Sequence, residues 1–143
     1  MTVKSPILLK MTMEINDSGK KDVTVVEEHG QLLEKDSTTI LTFSEYNENQ
    51  EKIHSFITIK PDSVSVKRSG AVSMHQKFIK KNITENVYRH EFGTIHMETT
   101  TDQITYQPPE NQKQGKLFIS YTTSLNGDKP RRHRLTITMK RQK

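Results

Sequence analysis

The sequence predicts an all-β protein, built as a closed antiparallel up-and-down β-barrel of about ten strands. Three observations lead there. Apolar residues recur with a period of two along most of the chain, as where Ile53, Ser55, Ile57 and Ile59 alternate with His54, Phe56, Thr58 and Lys60. No stretch shows the 3.6-residue period of a helix of normal length. The strands are many and their connections short and polar, so an open sheet would leave long exposed edges, whereas closure removes them. A sandwich of two sheets is the competing solution.

The 143 residues suit one domain, read as a barrel over residues 1–143. Hydrophobic residues make up 31% and aromatics 6%, with no Trp, enough for one layer of inward side chains. Charged residues reach 27% with both signs mixed, and Ser and Thr fall in alternating positions, which fits solvated strand faces rather than disorder. The absence of cysteine excludes disulfides and thiolate chemistry and fits a reducing compartment. At the start, Ile7, Leu8 and Leu9 are interrupted by Lys10, too short a run for a signal peptide or a membrane span. A cytoplasmic location and no membrane contact are expected.

In chain order, Ile7 to Asn16 places Leu9, Met11, Met13 and Ile15 on one face, and Asp17, Ser18 and Gly19 make a turn. In the next strand an inward set begins with Val23 and Val25 and jumps to Val26 and Leu32, which predicts a bulge. Gly30 inside it marks a sharp bend, a close backbone approach or a mere interruption. Thr38 to Phe43 is a strand with apolar residues on both faces, Asn47 to Glu51 a polar loop, and Ile53 to Ile59 the cleanest strand of all.

Val64 to Phe78 reads as a hairpin. A three-residue loop of Arg68, Ser69 and Gly70 sets Val66 against Val72 and Val64 against Met74, with Gly70 in the left-handed position. Lys80 to Asn86 loses the apolar pattern and reads as a loop. A strand beginning near Tyr88 is punctuated by Phe92 and Gly93, taken as a further bulge, and resumes with Ile95, Met97 and Thr99. Ile104 and Tyr106 form a short strand ended by Pro108 and Pro109. Leu117, Ile119, Tyr121 and Thr123 form a long one, and the last carries Leu135, Ile137 and Met139. To bring Ile119, Tyr121 and Leu135 to one face, residues 126–130 must act as a five-residue loop.

The Arg-x-Gly turn at Arg68 to Gly70, Met74 and Phe78 after it, Phe92-Gly93 followed by Met97 and Thr99, and Tyr121 before the final hairpin together resemble the YwiB-like family. That family groups small uncharacterised bacterial barrels. The resemblance implies a calycin-like barrel, the broad architecture of lipocalins and fatty-acid-binding proteins, with no established activity. The Gly-x-Trp of true lipocalins is missing, so ligand binding in that superfamily is analogy only.

No catalytic constellation stands out, and no enzyme activity or cofactor is expected. The histidines, at positions 29, 54, 75, 90, 96 and 133, lack metal-ligand spacing, and no metal site is assigned. Arg68, Gln76, Thr99, Tyr106, Tyr121 and His133, with Ser55 and Thr123 beside them, are polar residues at inward positions or, for Arg68, at a barrel mouth. They are the candidate contacts for a small amphipathic ligand in a hydrated interior. The simpler expectation is a filled barrel, its polar groups paired internally and its gaps taken up by Met11, Met13, Met74, Met97 and Met139 around Ile57 and Ile119. A net charge of +5 supports a second reading, nucleic-acid or ribosome contact through Arg131, Arg132, Arg134, Lys140 and Arg141. No aromatics interleave with that stripe, as base stacking requires. A plain protein-interaction module is the third reading.

Overall fold

The computed structural model describes residues 3–90, 92–110 and 113–142. Period-two alternation on a pleated backbone sends one set of side chains inward and the other to solvent, and the chain uses it in ten strands: β1 Val3–Asp17, β2 Lys20–Lys35, β3 Thr38–Tyr46, β4 Lys52–Ile59, β5 Ser63–Gly70, β6 Ser73–Ile79, β7 Ile83–His90, β8 Gly93–Gln107, β9 Gly115–Leu125 and β10 Arg131–Arg141. Each pairs antiparallel with its neighbours in sequence, and β1 pairs with β10 to close the barrel. The upper end carries the Ser18–Gly19 turn and the connections at 47–51, 71–72 and 126–130. The lower end carries those at 36–37 and 60–62 and the one after Gln107. None of the described residues lies in a helix long and apolar enough to cross a membrane.

Several strands follow the alternation faithfully. In β4, Ile53, Ser55, Ile57 and Ile59 are all buried. In the last hairpin the strands stop at Leu125 and resume at Arg131, and Ile119 lies opposite Leu135 and Tyr121 opposite His133, the register that the five-residue loop demands. Asn126 and Gly127 take positive φ there, at 51° and 78°. Loop 47–51 is held by Asn47, whose side-chain carbonyl accepts from the Asn49 and Glu51 amides at 3.0 and 2.9 Å.

Other elements depart from the expectation, each for an identifiable reason. The β1–β2 ladder runs without a break from Val3↔Glu34 to Asp17↔Lys20, so there is no bulge at Val25 and Val26. Val23 and Val25 face outward instead, each about half exposed, while Val26 and Leu32 hold the inward parity. Gly30 marks a close backbone approach: a Cβ there would lie 2.4 Å from the Thr42 carbonyl oxygen. In the β5–β6 hairpin the turn sits at Ala71 and Val72, two residues beyond the expected one, with Arg68 opposite Met74 and Val66 opposite Gln76. A slip of two residues in each strand keeps every side chain on its face, so parity cannot detect it. Gly70 does have positive φ, at +103°, but its neighbour on β4 demands the glycine, since a Cβ would meet the Lys52 carbonyl at 2.4 Å.

The expected loop at 80–86 contains the first half of β7, whose inward positions are polar because they stitch a seam. Between β6 and β7 the ladder comprises only Ser73↔Arg89 and Met74↔Tyr88. Below it the Asn86 side-chain carbonyl accepts from the Lys77 amide at 2.9 Å, and the Thr84 hydroxyl donates to the Lys77 carbonyl. Gly93 opens β8 opposite His90 and is no bulge. The bulge lies at Asp102, where the register shifts between Thr101 and Gln103 and turns the inward parity from Met97, Thr99 and Thr101 to Ile104 and Tyr106. The stretch at Ile104 and Tyr106 is therefore the lower half of β8 rather than a separate strand.

The lower and middle barrel is filled by Ile7, Leu9, Leu32, Leu41, Ile59, Val64, Leu117, Ile119, Ile137 and Met139, none more than 3% exposed. Arg141 ties off the lower end by donating to Glu34 Oε1 at 2.7 Å, Ser5 Oγ at 2.8 Å and the Pro109 carbonyl at 3.2 Å. The upper half is less complete. The β2–β3 ladder starts only at Gly30↔Phe43, and extending it upward would put Glu28 opposite Glu45, two carboxylates of the same inward parity.

Candidate functional site: a cavity in the upper barrel

Above the filled layer the barrel holds a cavity of about 250 Å³, so the interior is neither wholly packed nor wholly hollow. Its walls are mainly apolar, with Met11 and Met13 from β1, Phe43 from β3, Ile57 from β4, and Met74 and Phe78 from β6. The three methionines sit only partly buried at the edge of the core, where unbranched side chains can adapt their shape. Tyr121 closes the floor, its ring tilted against Phe78 with centroids 4.6 Å apart.

Polar side chains line the same space too, Thr24, Ser55, Gln76, Arg68 and Glu45 among them. Arg68 Nη2 donates to Glu45 Oε1 at 2.7 Å, in a pair that is mostly but not fully withdrawn from water. The remaining guanidinium N–H groups donate to no described residue. Gln76 donates to the Thr99 hydroxyl at 3.0 Å and more weakly to the Met97 sulfur, both through its amide nitrogen. The arrangement is a greasy pocket with a cluster of donors and acceptors on one wall, which is how small-molecule sites combine affinity with orientation. Its volume lies just below the roughly 300 Å³ at which drug-sized pockets begin, a fit for one short chain rather than a bulky cofactor.

The six residues nominated for an interior ligand therefore separate. Arg68, Gln76 and Tyr121 line the cavity, and Thr99 stands behind Gln76 as its hydrogen-bond partner. Arg68 is an inward strand residue rather than a turn residue. His133 lies one layer back, its ring stacked on Tyr121 at 4.7 Å and 6° and sharing a 2.7 Å hydrogen bond with Thr123. Burial, reinforced by the nearby Arg131 charge, pushes the His133 pKa down to about 4, so the ring is neutral at physiological pH. Burial also drives the Tyr121 phenol far above its ordinary value. Tyr106 does not belong to the group: it sits at the lower end beside Thr39, Glu34 and Arg141, with burial raising its pKa and no well-formed hydrogen bond to its hydroxyl. Glu45 was not anticipated, although it shares the inward parity of Leu41 and Phe43.

The basic stripe is largely spent on intramolecular pairs. Arg131 meets Asp17 at 3.2 Å and Arg132 meets Asp102 at 2.9 Å, while Arg141 is drawn into the lower end. Arg134 and Lys140 remain outward and exposed. Among the described residues no group of three or more His, Asp or Glu is placed to hold a metal ion.

A closed ten-stranded antiparallel barrel with a mixed polar and apolar cavity under one end defines a small β-barrel protein whose interior has room for a ligand. More narrowly, the chain belongs to the family described as "Domain of unknown function (DUF1934)", whose model matches residues 9–137. It is 28% identical over 138 residues to the uncharacterized beta-barrel protein YwiB of Bacillus subtilis (strain 168), covering 96% of this chain and 95% of that protein. The crystal structure of the ywiB protein from Bacillus subtilis superposes with a TM-score of 0.85 at 26% identity, covering 98% of this chain and 94% of that one. The expected YwiB-like resemblance and the closed barrel both hold. No enzymatic description accompanies the family or these relatives.

Proposed function

We propose that the protein binds a small amphipathic molecule in the upper-barrel cavity, its chain among Met11, Met13, Phe43, Met74 and Phe78 and its head group on Arg68 and Gln76. The observation that carries this reading is the Arg68–Glu45 pair on the wall of a mainly apolar space. A guanidinium using one donor on one carboxylate oxygen keeps most of its fork for a second acceptor, and Arg matches a carboxylate in planar, bidentate fashion. The head group therefore bears oxygen acceptors, and a short fatty carboxylate is the simplest molecule of that description.

Native mass spectrometry of freshly purified protein, followed by calorimetric titration with octanoate, tests the proposal. A retained small molecule, or saturable one-to-one binding of octanoate, is the expected result. Protein that carries nothing and takes up neither octanoate nor a longer homologue would overturn it.

A further inference from the structure

The upper half of β2 presents an open backbone edge. From Lys20 to His29 the strand pairs with β1 on one side, whereas its ladder to β3 begins only at Gly30. Residues 20–25 are exposed on both faces, although Thr24 also lines the upper cavity. Unpaired N–H and C=O groups along a strand are a template for another strand. Proteins usually blunt such edges with a proline, a bulge or charges; this one has no proline and no bulge, its charges other than Asp22 lie toward its two ends, and its middle reads Val23, Thr24, Val25.

The order of residues along that edge is complementary to itself. Lys20 and Lys21 occupy one end and Glu27 and Glu28 the other. Folded antiparallel onto a second copy about Thr24, the edge sets Lys20 against Glu28, Lys21 against Glu27 and Val23 against Val25. Side chains directly opposite one another on paired strands are the unit of sheet stabilisation. Only Asp22, opposite Val26, gains nothing. Shifting the pairing by one residue on each strand in one direction puts Asp22 against Glu28, in the other Lys21 against Val25, and a parallel arrangement puts like charges together. The charged ends thus select one orientation and one register. We infer that two copies of this chain join through their β2 edges, antiparallel about Thr24, in a twofold dimer whose β10–β1–β2 sheet continues across the axis. The inference rests on this edge alone, whose Thr24 and Val26 also border the cavity, and needs no ligand in it.

Sedimentation equilibrium of the full chain up to about 200 µM, which detects a Kd in the micromolar range, measures it. The unaltered chain is expected to show a monomer–dimer equilibrium. Val23→Lys/Val25→Lys places lysines opposite lysines on the solvent face, and it should weaken the dimer roughly tenfold or more while leaving the barrel folded by circular dichroism. Lys21→Glu should weaken it too, and Lys21→Glu/Glu27→Lys should restore most of the loss. A chain that stays monomeric at every concentration overturns the inference. So does a dimer indifferent to the lysine pair, or a charge exchange that restores nothing.

Discussion

Ile57 and Ile119 form a matched pair of probes for where the barrel is full and where it is not. Both are inward strand residues and both are buried, at 2% and 0% exposure, but Ile57 borders the cavity and Ile119 does not. Truncation to Ala removes three carbons at either site, a transfer cost of about 2.4 kcal/mol at about 0.8 kcal/mol each. At Ile119 the close-packed neighbours hold a void open, and roughly 70 Å³ of it at about 24 cal/mol per Å³ adds roughly 1.7 kcal/mol. The expected cost there is about 4 kcal/mol. At Ile57 the vacated space joins the floor of an existing cavity that water can reach, so the void term largely drops out and the cost is about 2 kcal/mol. Urea unfolding of Ile57→Ala and Ile119→Ala, compared at equal m-value, reads the difference directly. Equal losses at the two sites, within about 0.5 kcal/mol, would refute the division into a filled lower half and a hollow upper half.

Three further outcomes are expected. His133 has a folded pKa near 4 against an unfolded value near 6.5. The unfolded chain thus binds the extra proton first, and stability is complete above pH 6.5 and declines as pH falls toward 4. The size is about 1–3 kcal/mol once the partial exposure of the ring is allowed for, and thermal melts of His133→Gln should lose that pH dependence. Gly70→Ala should destabilise by more than about 2 kcal/mol, through a Cβ driven against the Lys52 carbonyl and a φ disfavoured for Ala; a melting temperature within a degree of the parent's contradicts this. Asn86→Ala strips the Lys77 amide of its partner at the β6–β7 seam and should cost about 1–3 kcal/mol, with faster amide exchange at Lys77 than anywhere in β4.

The all-β class, the closure and the clean strands were legible because β4, β9 and β10 bury an unbroken, mainly apolar set at alternate positions. Boundaries failed where inward positions are polar for structural reasons. Thr84 and Asn86 replace missing ladder bonds, so β7 carries no apolar signal. The single extra residue at Asp102 makes one long strand look like two. Val23 and Val25 look like core residues and in fact face solvent. Half of the candidate site was legible too: Gln76 and Tyr121 show by parity, and Arg68 stood out even though its turn was misplaced by two residues. Glu45 was hidden because a carboxylate at a strand end ordinarily means solvent, and only the three-dimensional approach of β5 brings it a guanidinium. The cavity itself depends on where the β2–β3 ladder stops, a property of two strands that no single stretch of sequence displays.

The central claim, that Arg68 and Glu45 form the head-group end of a ligand cavity, is tested most directly by calorimetric affinities for octanoate across three proteins. Arg68→Met removes the fork and should weaken binding by roughly tenfold or more. Glu45→Gln removes the charge that competes for Arg68 and repels a carboxylate, and should tighten binding by about threefold or more. The account therefore predicts the order Glu45→Gln, then the parent, then Arg68→Met. Equal affinities in all three, or a Glu45→Gln variant that binds octanoate more weakly than the parent, would contradict it.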